Sequence, residues 1–108
     1  MKFLALALIG ISLVGCDNKP FAKVQPTEEE KLQAVVRVSL KDPDSAKFGK
    51  VSVVKESNAC VTVNAKNSLG GYTGDQQAFL MKSNGLWEVL SIDEMTHERC
   101  IEIMSQVH

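Results

Sequence analysis

The chain has 108 residues, of which 44% are hydrophobic and 23% charged, and its formal net charge is −1. This length corresponds to one small domain. The nearly balanced charge excludes a strongly basic surface of the kind that binds nucleic acids, so we expect no nucleic-acid partner. The sequence shows no internal repeats and no low-complexity tracts.

The N-terminal segment has the pattern of a bacterial secretion signal. Lys2 supplies a positive end, and the segment 3–14 is apolar apart from Gly10 and Ser12. The run is too short for a transmembrane helix, which needs about 20 apolar residues. We therefore predict a signal peptide at residues 1–15.

The segment Leu13-Val14-Gly15-Cys16 closes this apolar run and resembles a lipobox, which directs acylation of the cysteine and cleavage just before it. We predict that Cys16 becomes the first mature residue and carries a diacylglyceryl group, with a further chain such as palmitate on its amine. Two or more acyl chains anchor a protein stably, whereas one gives reversible binding. An uncleaved membrane anchor and ordinary secretion with cleavage elsewhere are the alternatives.

The residues after the cysteine predict the location. In enteric bacteria, an Asp directly after the lipidated cysteine retains a lipoprotein in the inner membrane, and Asp17 stands there. We expect a lipid anchor facing the periplasm, with the inner membrane favoured and the outer membrane as the alternative. Residues 16–26 form the lipidated cysteine and a tether, since they contain two prolines, two lysines and little periodicity.

The folded domain is predicted over residues 27–108, beginning with a helix. Thr27-Glu28-Glu29-Glu30 is a capping box, in which the Thr27 hydroxyl and the Glu30 carboxylate each bond the other residue's backbone N–H. Apolar residues at helical spacing follow, and Pro43 ends the pattern. We place this helix at about 28–41.

Four strands and a second helix follow. Alternating apolar residues predict strands, joined by a turn at Ser57-Asn58, a loop at 67–75 and a turn at Asn84-Gly85; the strands are 47–56, 59–66, 77–82 and 86–92. Gly49 is predicted to mark a bulge. Ser91-Ile92-Asp93-Glu94 reads as a second capping box that starts a helix to about residue 106.

These elements predict an α+β fold, with a four-stranded antiparallel meander between an N-terminal helix and a C-terminal helix. Each amphipathic helix must bury its apolar stripe. We expect both helices to use one face of the sheet, with the C-terminal helix packed on that face.

With Cys16 lipidated, Cys60 and Cys100 remain as an even pair. In a small exported domain such a pair predicts a disulfide, which closes a loop of about 40 residues and is worth roughly 4 kcal/mol. Buried free thiols or a thiol site are the alternatives.

The two histidines show no pattern of a catalytic or metal site. His97 stands beside Glu94, Glu98 and Arg99, so we expect a solvated side chain, and His108 is the last residue. Metal-ligand spacing is missing, and no serine or cysteine nearby announces a nucleophile–base pair. We therefore predict no catalytic residue, metal or cofactor, and a protein that is not an enzyme.

The loop over residues 67–74 is the candidate interaction site. Glycine permits positive φ and close approach of a partner, and Tyr72 is the only tyrosine of the chain. Lys66 and Asp75 are expected to frame it with opposite charges. The candidate partner-binding residues are Asn67, Leu69, Gly70, Gly71, Tyr72 and Thr73. Alternatively, the glycines serve a wide structural hairpin, with Leu69 or Tyr72 tucked onto the sheet.

Two sequence blocks are similar to a group of small bacterial and prophage-encoded lipoproteins of unassigned function. The first block is LKDPDSAKF at 40–48; the second is Cys60 with VNAKNS at 63–68 and GGYTG at 70–74. Both blocks lie within residues 40–74, a span of about a third of the chain. The resemblance implies a lipoprotein, and it supplies no catalytic residue.

Two functions from different classes stay open at this point. The first is a non-catalytic binding or envelope-assembly domain that contacts an envelope protein. In one version it is a prophage-type lipoprotein that blocks a second phage. The alternative is an inhibitor of a cell-wall hydrolase that presents the 67–74 loop to the enzyme's cleft.

Overall fold

The computed structural model describes residues 25–107, and these form an α+β domain as predicted. Four strands make one antiparallel sheet, in which neighbouring strands follow one another in the sequence. The elements are α1 (Glu28–Arg37), a short 3-10 helix (Pro43–Ser45), β1 (Lys47–Val54), β2 (Asn58–Asn64), β3 (Gln76–Ser83), β4 (Leu86–Asp93) and α2 (His97–Met104). The predicted signal peptide, Cys16 and most of the tether lie outside the described residues. Within residues 25–107, no helix is long and apolar enough to cross a membrane.

Helix α1 begins as the capping box predicts. The Thr27 hydroxyl accepts from the Glu30 N–H at 3.1 Å, and the Glu30 carboxylate accepts from the Thr27 N–H at 2.9 Å. The helix ends at Arg37, earlier than the predicted end near 41. The Arg37 guanidinium donates to the Pro43 carbonyl oxygen at 3.0 Å. This hydrogen bond joins the end of α1 to the start of the 3-10 helix.

The two helices pack on opposite faces of the sheet, so the expectation that they share one face is wrong. Both alternating faces of the central strands β2 and β3 are apolar and buried, and each face therefore needs a cover. The core on the α1 side contains Leu32, Val36, Ala59, Val61, Val63, Ala78 and Leu80. The core on the α2 side contains Cys60, Phe79, Cys100 and Met104.

Gly49 lies at an irregularity of β1, which confirms the predicted bulge. The pairing with β2 shifts between Phe48 and Val51. A Cβ atom on Gly49 would lie 3.2 Å from Cβ of Thr62 on β2. The glycine therefore allows close approach of the two strands at this point.

The β3–β4 turn has the predicted form, whereas the β1–β2 turn does not. Asn84 and Gly85 have φ of 54° and 80°, as the Asn-Gly pair predicts. The first turn uses Lys55 and Glu56, at φ of 55° and 67°. Asn58, predicted in the turn, is a buried strand residue.

The buried side chain of Asn58 forms hydrogen bonds with the C-terminal end of helix α2. Its Nδ2 atom donates to the carbonyl oxygens of Met104 at 2.9 Å and Val107 at 3.1 Å. The Met104 carbonyl oxygen also accepts from the Val107 N–H at 3.3 Å, so the Asn58 amide joins strand β2 to carbonyl groups at and just beyond the C-terminal end of α2. A long-range contact therefore overrides the turn preference of asparagine.

Helix α2 begins later than predicted. Strand β4 continues to Asp93, and Thr96 is the N-cap, whose hydroxyl accepts from the Arg99 N–H at 3.1 Å. The predicted capping box at 91–94 is wrong, because Ser91, Ile92 and Asp93 pair with β3 and the N-cap of the helix is Thr96. The predicted disulfide between Cys60 and Cys100 is present, with the Cα atoms 6.1 Å apart, and it ties α2 to β2.

Candidate functional site

The candidate loop lies at one end of the sheet. Strand β2 ends at Asn64 and β3 begins at Gln76, so residues 65–75, here called the tyrosine loop, connect them at that end. Both short turns lie at the other end, because neighbouring strands are antiparallel. The loop and the β3–β4 turn are separated by the length of β3, or about 25 Å.

The tip of the tyrosine loop is closed by its own hydrogen bonds around Asn67. The Asn67 Oδ1 atom accepts from the N–H groups of Leu69 at 2.9 Å and Gly71 at 3.2 Å. The Asn67 N–H donates to the Gly71 carbonyl oxygen at 2.9 Å, and Gly70 has a φ of 86°. Lys66 and Tyr72 pair across the base of this turn. Asn67, Gly70 and Gly71 therefore shape the loop.

The base of the loop is fastened to the neighbouring segments. The Lys66 N–H donates to the Ser45 hydroxyl at 2.8 Å, and the Gly74 N–H donates to Oδ1 of Asn64 at 3.0 Å. The Thr73 N–H donates to the Ala65 carbonyl oxygen at 3.3 Å. Predicted site residue Thr73 thus holds the base of the loop.

Tyr72 lies against the 3-10 helix rather than at the tip of the loop. Its hydroxyl donates to the Ser45 carbonyl oxygen at 3.1 Å, and 42% of the residue is exposed. The Nζ atoms of Lys47 and Lys66 lie 4.5 Å and 5.7 Å from the ring centroid. The ring is held in place by three groups while part of it stays accessible.

Two lysines flank Tyr72, so the expected framing by opposite charges is wrong. Lys66 contacts the ring as predicted, but its counterpart is Lys47 on β1. Asp75 lines a different cleft, beside His97. Sequence analysis missed Ser45 and Lys47 as parts of this site, because both reach Tyr72 from another segment.

Leu69 is the residue at the tip, with 92% of its surface exposed. It is therefore not tucked onto the sheet, as the structural alternative proposed. A cleft of about 210 Å³ adjoins the loop base, lined in part by Leu40, Lys41, Lys66 and Ile92. The resulting surface combines apolar groups with ammonium groups.

His97 is buried, so the prediction of a solvated side chain is wrong. Only 6% of the residue is exposed. Its Nε2 atom lies 2.9 Å from the Ser52 hydroxyl, and its Nδ1 atom lies 2.9 Å from Oε1 of Gln77 and 3.1 Å from the Thr62 hydroxyl. Strands β1, β2 and β3 each supply one partner to the first residue of α2.

The bonds of Gln77 indicate the tautomer of neutral His97, and burial of the ring favours the neutral form over the charged form. Because the Gln77 amide nitrogen donates to the Met95 carbonyl oxygen, its Oε1 atom accepts from Nδ1–H of His97, and Nε2 then accepts from the Ser52 hydroxyl. Burial lowers the pKa of His97, Glu98 opposes this shift and Lys50 adds to it. Burial penalises the charged form of the ring.

Ser52 and His97 thus form a hydrogen-bonded pair that the local sequence did not predict, because 45 positions separate the two residues. A cleft of about 360 Å³ beside them is lined by Gly49, Lys50, Thr62, Asp75, Gln77, Met95, Thr96, His97 and Glu98. Ser52 does not line this cleft, and its hydroxyl bonds the His97 ring. The arrangement fastens the start of α2 to the sheet.

Among residues 25–107, no three His, Cys, Asp or Glu side chains converge in a way that holds a metal ion. Comparison with known protein families, with curated proteins and with solved structures finds no match for this chain. The resemblance to small bacterial lipoproteins stays a prediction from the sequence.

Proposed function

We propose that the protein is a lipid-anchored, periplasm-facing envelope protein whose domain binds or assembles another envelope protein through the tyrosine loop. The lipobox ending at Cys16 supports the anchor, and Asp17 supports the inner membrane. The two sequence blocks support a prophage-related origin. The proposed domain is non-catalytic.

The observation that carries the binding role is an ordered loop that exposes apolar groups. Leu69 is 92% exposed at the tip and Tyr72 is 42% exposed beside it, although Asn67 and Ser45 hold the loop and the ring in one arrangement. Ordering before contact lowers the entropic cost of association. A large amphipathic ring is also an effective interface anchor.

The attachment point supports display of the loop away from the membrane. The described chain enters the domain at Thr27, and Glu28 contacts Lys82 and Trp87 near the β3–β4 turn. The tyrosine loop lies at the opposite end of the sheet. A partner in the periplasm therefore reaches the loop without contact with the lipid surface.

A specific feature supports the alternative, an inhibitor of a cell-wall hydrolase. The protruding Leu69 is followed by a ring between the two ammonium groups of Lys47 and Lys66. Many glycoside hydrolases carry a pair of carboxyl groups in the cleft. An apolar tip with positive flanks is complementary to such a cleft in shape and charge.

Crosslinking from the loop tip tests the proposal. A photoreactive amino acid at Leu69 of the full-length chain is irradiated in living cells, and captured proteins are identified by mass spectrometry. The matched control carries the same group at Val53, an exposed apolar residue near the end of β1 that lies away from the loop. We expect a partner captured from position 69 alone, and capture that is lost when Tyr72→Ala is added.

The identity of the captured protein separates the two functions. A phage, secretion or envelope-assembly protein supports the leading proposal, whereas a peptidoglycan-cleaving enzyme supports the alternative. Identical capture patterns from positions 69 and 53, or no capture from position 69, overturn the role of the loop.

A further inference from the structure

We infer that the end of the domain opposite the tyrosine loop rests on the lipid surface, through the tip of the β3–β4 hairpin (residues 83–87, the hairpin tip). The inference rests on the proposed lipid anchor at Cys16 and extends it, because it assigns the domain an orientation on the membrane. The ligand of this surface is the interfacial region of the bilayer.

The first argument is the place where the tether joins the domain. The Glu28 carboxylate accepts a hydrogen bond from the indole N–H of Trp87, and the ammonium group of Lys82 lies 3.3 Å from the same carboxylate. The start of α1 is thus fixed beside the hairpin tip. Cys16 precedes Glu28 by only 12 positions in the sequence, so a lipid anchor at Cys16 keeps this end of the domain nearer to the lipid than the tyrosine loop.

The second argument is the composition of the tip. It carries no charged residue: its sequence is Ser83-Asn84-Gly85-Leu86-Trp87. Leu86 is 74% exposed and follows the tight turn directly. A leucine that protrudes from an uncharged turn suits insertion into the boundary between headgroups and acyl chains.

The third argument is the arrangement around Trp87. The ring is partly buried against the core on the α1 side, and its N–H points to Glu28. The Lys82 ammonium lies 5.0 Å from the ring centroid. Tryptophan is enriched at membrane interfaces because it joins an apolar ring to a polar N–H.

The charges around the tip define the kind of contact. Lys82 is paired with Glu28, and Glu88 follows the tip directly. The cation is therefore balanced, and the contact does not depend on anionic lipids. We expect it on zwitterionic phosphatidylcholine, with little sensitivity to salt, because screening weakens charge attraction and leaves apolar contact in place.

Trp87 provides the probe, since it is the only tryptophan of the chain. The full-length acylated protein is reconstituted into phosphatidylcholine vesicles whose acyl chains are brominated near the headgroup, and into unbrominated vesicles. We expect a blue shift on reconstitution and a marked loss of Trp87 emission in the brominated vesicles. Raising the salt concentration from about 0.1 M to about 1 M, which shortens the screening length from about 10 Å to about 3 Å, is expected to leave the quenching unchanged.

Two variants complete the test. Leu86→Asp keeps the anchor and the turn but places a charge at the tip, and we expect the quenching to be lost. The double variant Trp87→Phe with Tyr72→Trp moves the probe to the opposite end of the sheet, where no quenching is expected. Circular dichroism and the intact Cys60–Cys100 disulfide check that each variant is folded.

The outcomes are distinct for the anchor and for the orientation. If the protein sediments with the vesicles but Trp87 is not quenched, the orientation is overturned and the anchor stands. The orientation is also overturned if both probe positions are quenched equally or if high salt abolishes the quenching. If the acylated protein does not sediment with the vesicles, the lipid anchor fails, and the inference falls with it.

Discussion

The hydroxyl of Ser52 lies 2.9 Å from Nε2 of His97, although 45 residues separate them in the chain. This contact joins strand β1 to the first residue of α2. Thr62 and Gln77 complete the set from β2 and β3. The imidazole therefore links the start of the last helix to three strands, on the same side of the sheet as the disulfide.

We predict that the domain loses stability as the pH falls below about 6.5. Above the ordinary His pKa of 6.5, His97 is neutral in both the folded and the unfolded state and contributes no pH dependence. Below it the unfolded chain takes up a proton first, because burial lowers the pKa in the folded state, and the free energy of unfolding decreases. Chemical denaturation at about pH 7.5 and about pH 5 measures this.

The two histidines allow a matched control for this prediction. His97→Gln is expected to remove the pH dependence in this range and to lower stability by about 1–3 kcal/mol, since Ser52 and Thr62 lose a buried partner. His108→Gln measures the contribution of the second histidine to the same pH dependence. A wild-type free energy of unfolding that is equal at the two pH values contradicts the assignment.

Removal of the Cys60–Cys100 disulfide is predicted to lower the free energy of unfolding by roughly 4 kcal/mol, because the unfolded chain regains the freedom of a loop of 40 residues. The double variant Cys60→Ala with Cys100→Ala is compared with the wild type by denaturant titration. Reduced wild-type protein serves as the control for the packing of the two side chains. A loss below about 1 kcal/mol shows that the bond does not sustain the fold.

Tyr72→Ala is predicted to abolish partner capture with a stability loss of about 1 kcal/mol. Truncation of a buried aromatic side chain costs about 3–5 kcal/mol, but Tyr72 is 42% exposed. Tyr72→Phe removes the bond to Ser45 and keeps the ring, and we expect it to retain capture. Thermal unfolding of both variants measures their stability. A stability loss of about 3 kcal/mol or more for Tyr72→Ala shows that the ring is part of the core and contradicts the prediction.

Asn67→Ala is predicted to loosen the tip of the tyrosine loop without unfolding the domain. The substitution removes the acceptor for the N–H groups of Leu69 and Gly71, so hydrogen exchange of these two amides is expected to accelerate. Exchange in β2 and β3 is expected to stay unchanged. Ser68→Ala is the neighbouring control, and unaltered exchange at Leu69 and Gly71 in the Asn67 variant rejects the role of the side chain.

The processing prediction is tested at Cys16. Cys16→Ser, or treatment of cells with the lipoprotein signal peptidase inhibitor globomycin, is expected to leave an unprocessed or soluble form. Radiolabelled palmitate and membrane fractionation follow the outcome. Normal maturation and membrane fractionation of the Cys16→Ser protein are incompatible with a lipid anchor at that residue.

Local chemistry made much of the fold predictable from the sequence. The Thr27–Glu30 capping box and the Asn84-Gly85 turn depend on residues within a few positions of one another, and the glycine at position 49 predicted the bulge in β1. The alternation of apolar residues located the strands, and the meander followed from their short connections. The Cys60–Cys100 disulfide was predictable because only two cysteines remain once Cys16 is assigned to lipidation. For the candidate site, the glycine-rich loop and its tyrosine were visible for the same reason.

The tertiary structure alone decided what joins distant segments. Tyr72 takes its position from Ser45, 27 residues away, and Trp87 lies beside Glu28, at a separation of 59. His97 looked solvated among charged neighbours, yet its burial comes from three strands. Asn58, expected in a turn, lies in strand β2, where its side-chain amide donates to carbonyl groups at the end of α2. The surroundings of a side chain depend on which apolar sheet faces are covered by helices and on which buried polar groups form hydrogen bonds. Both are set by the packing of the whole chain.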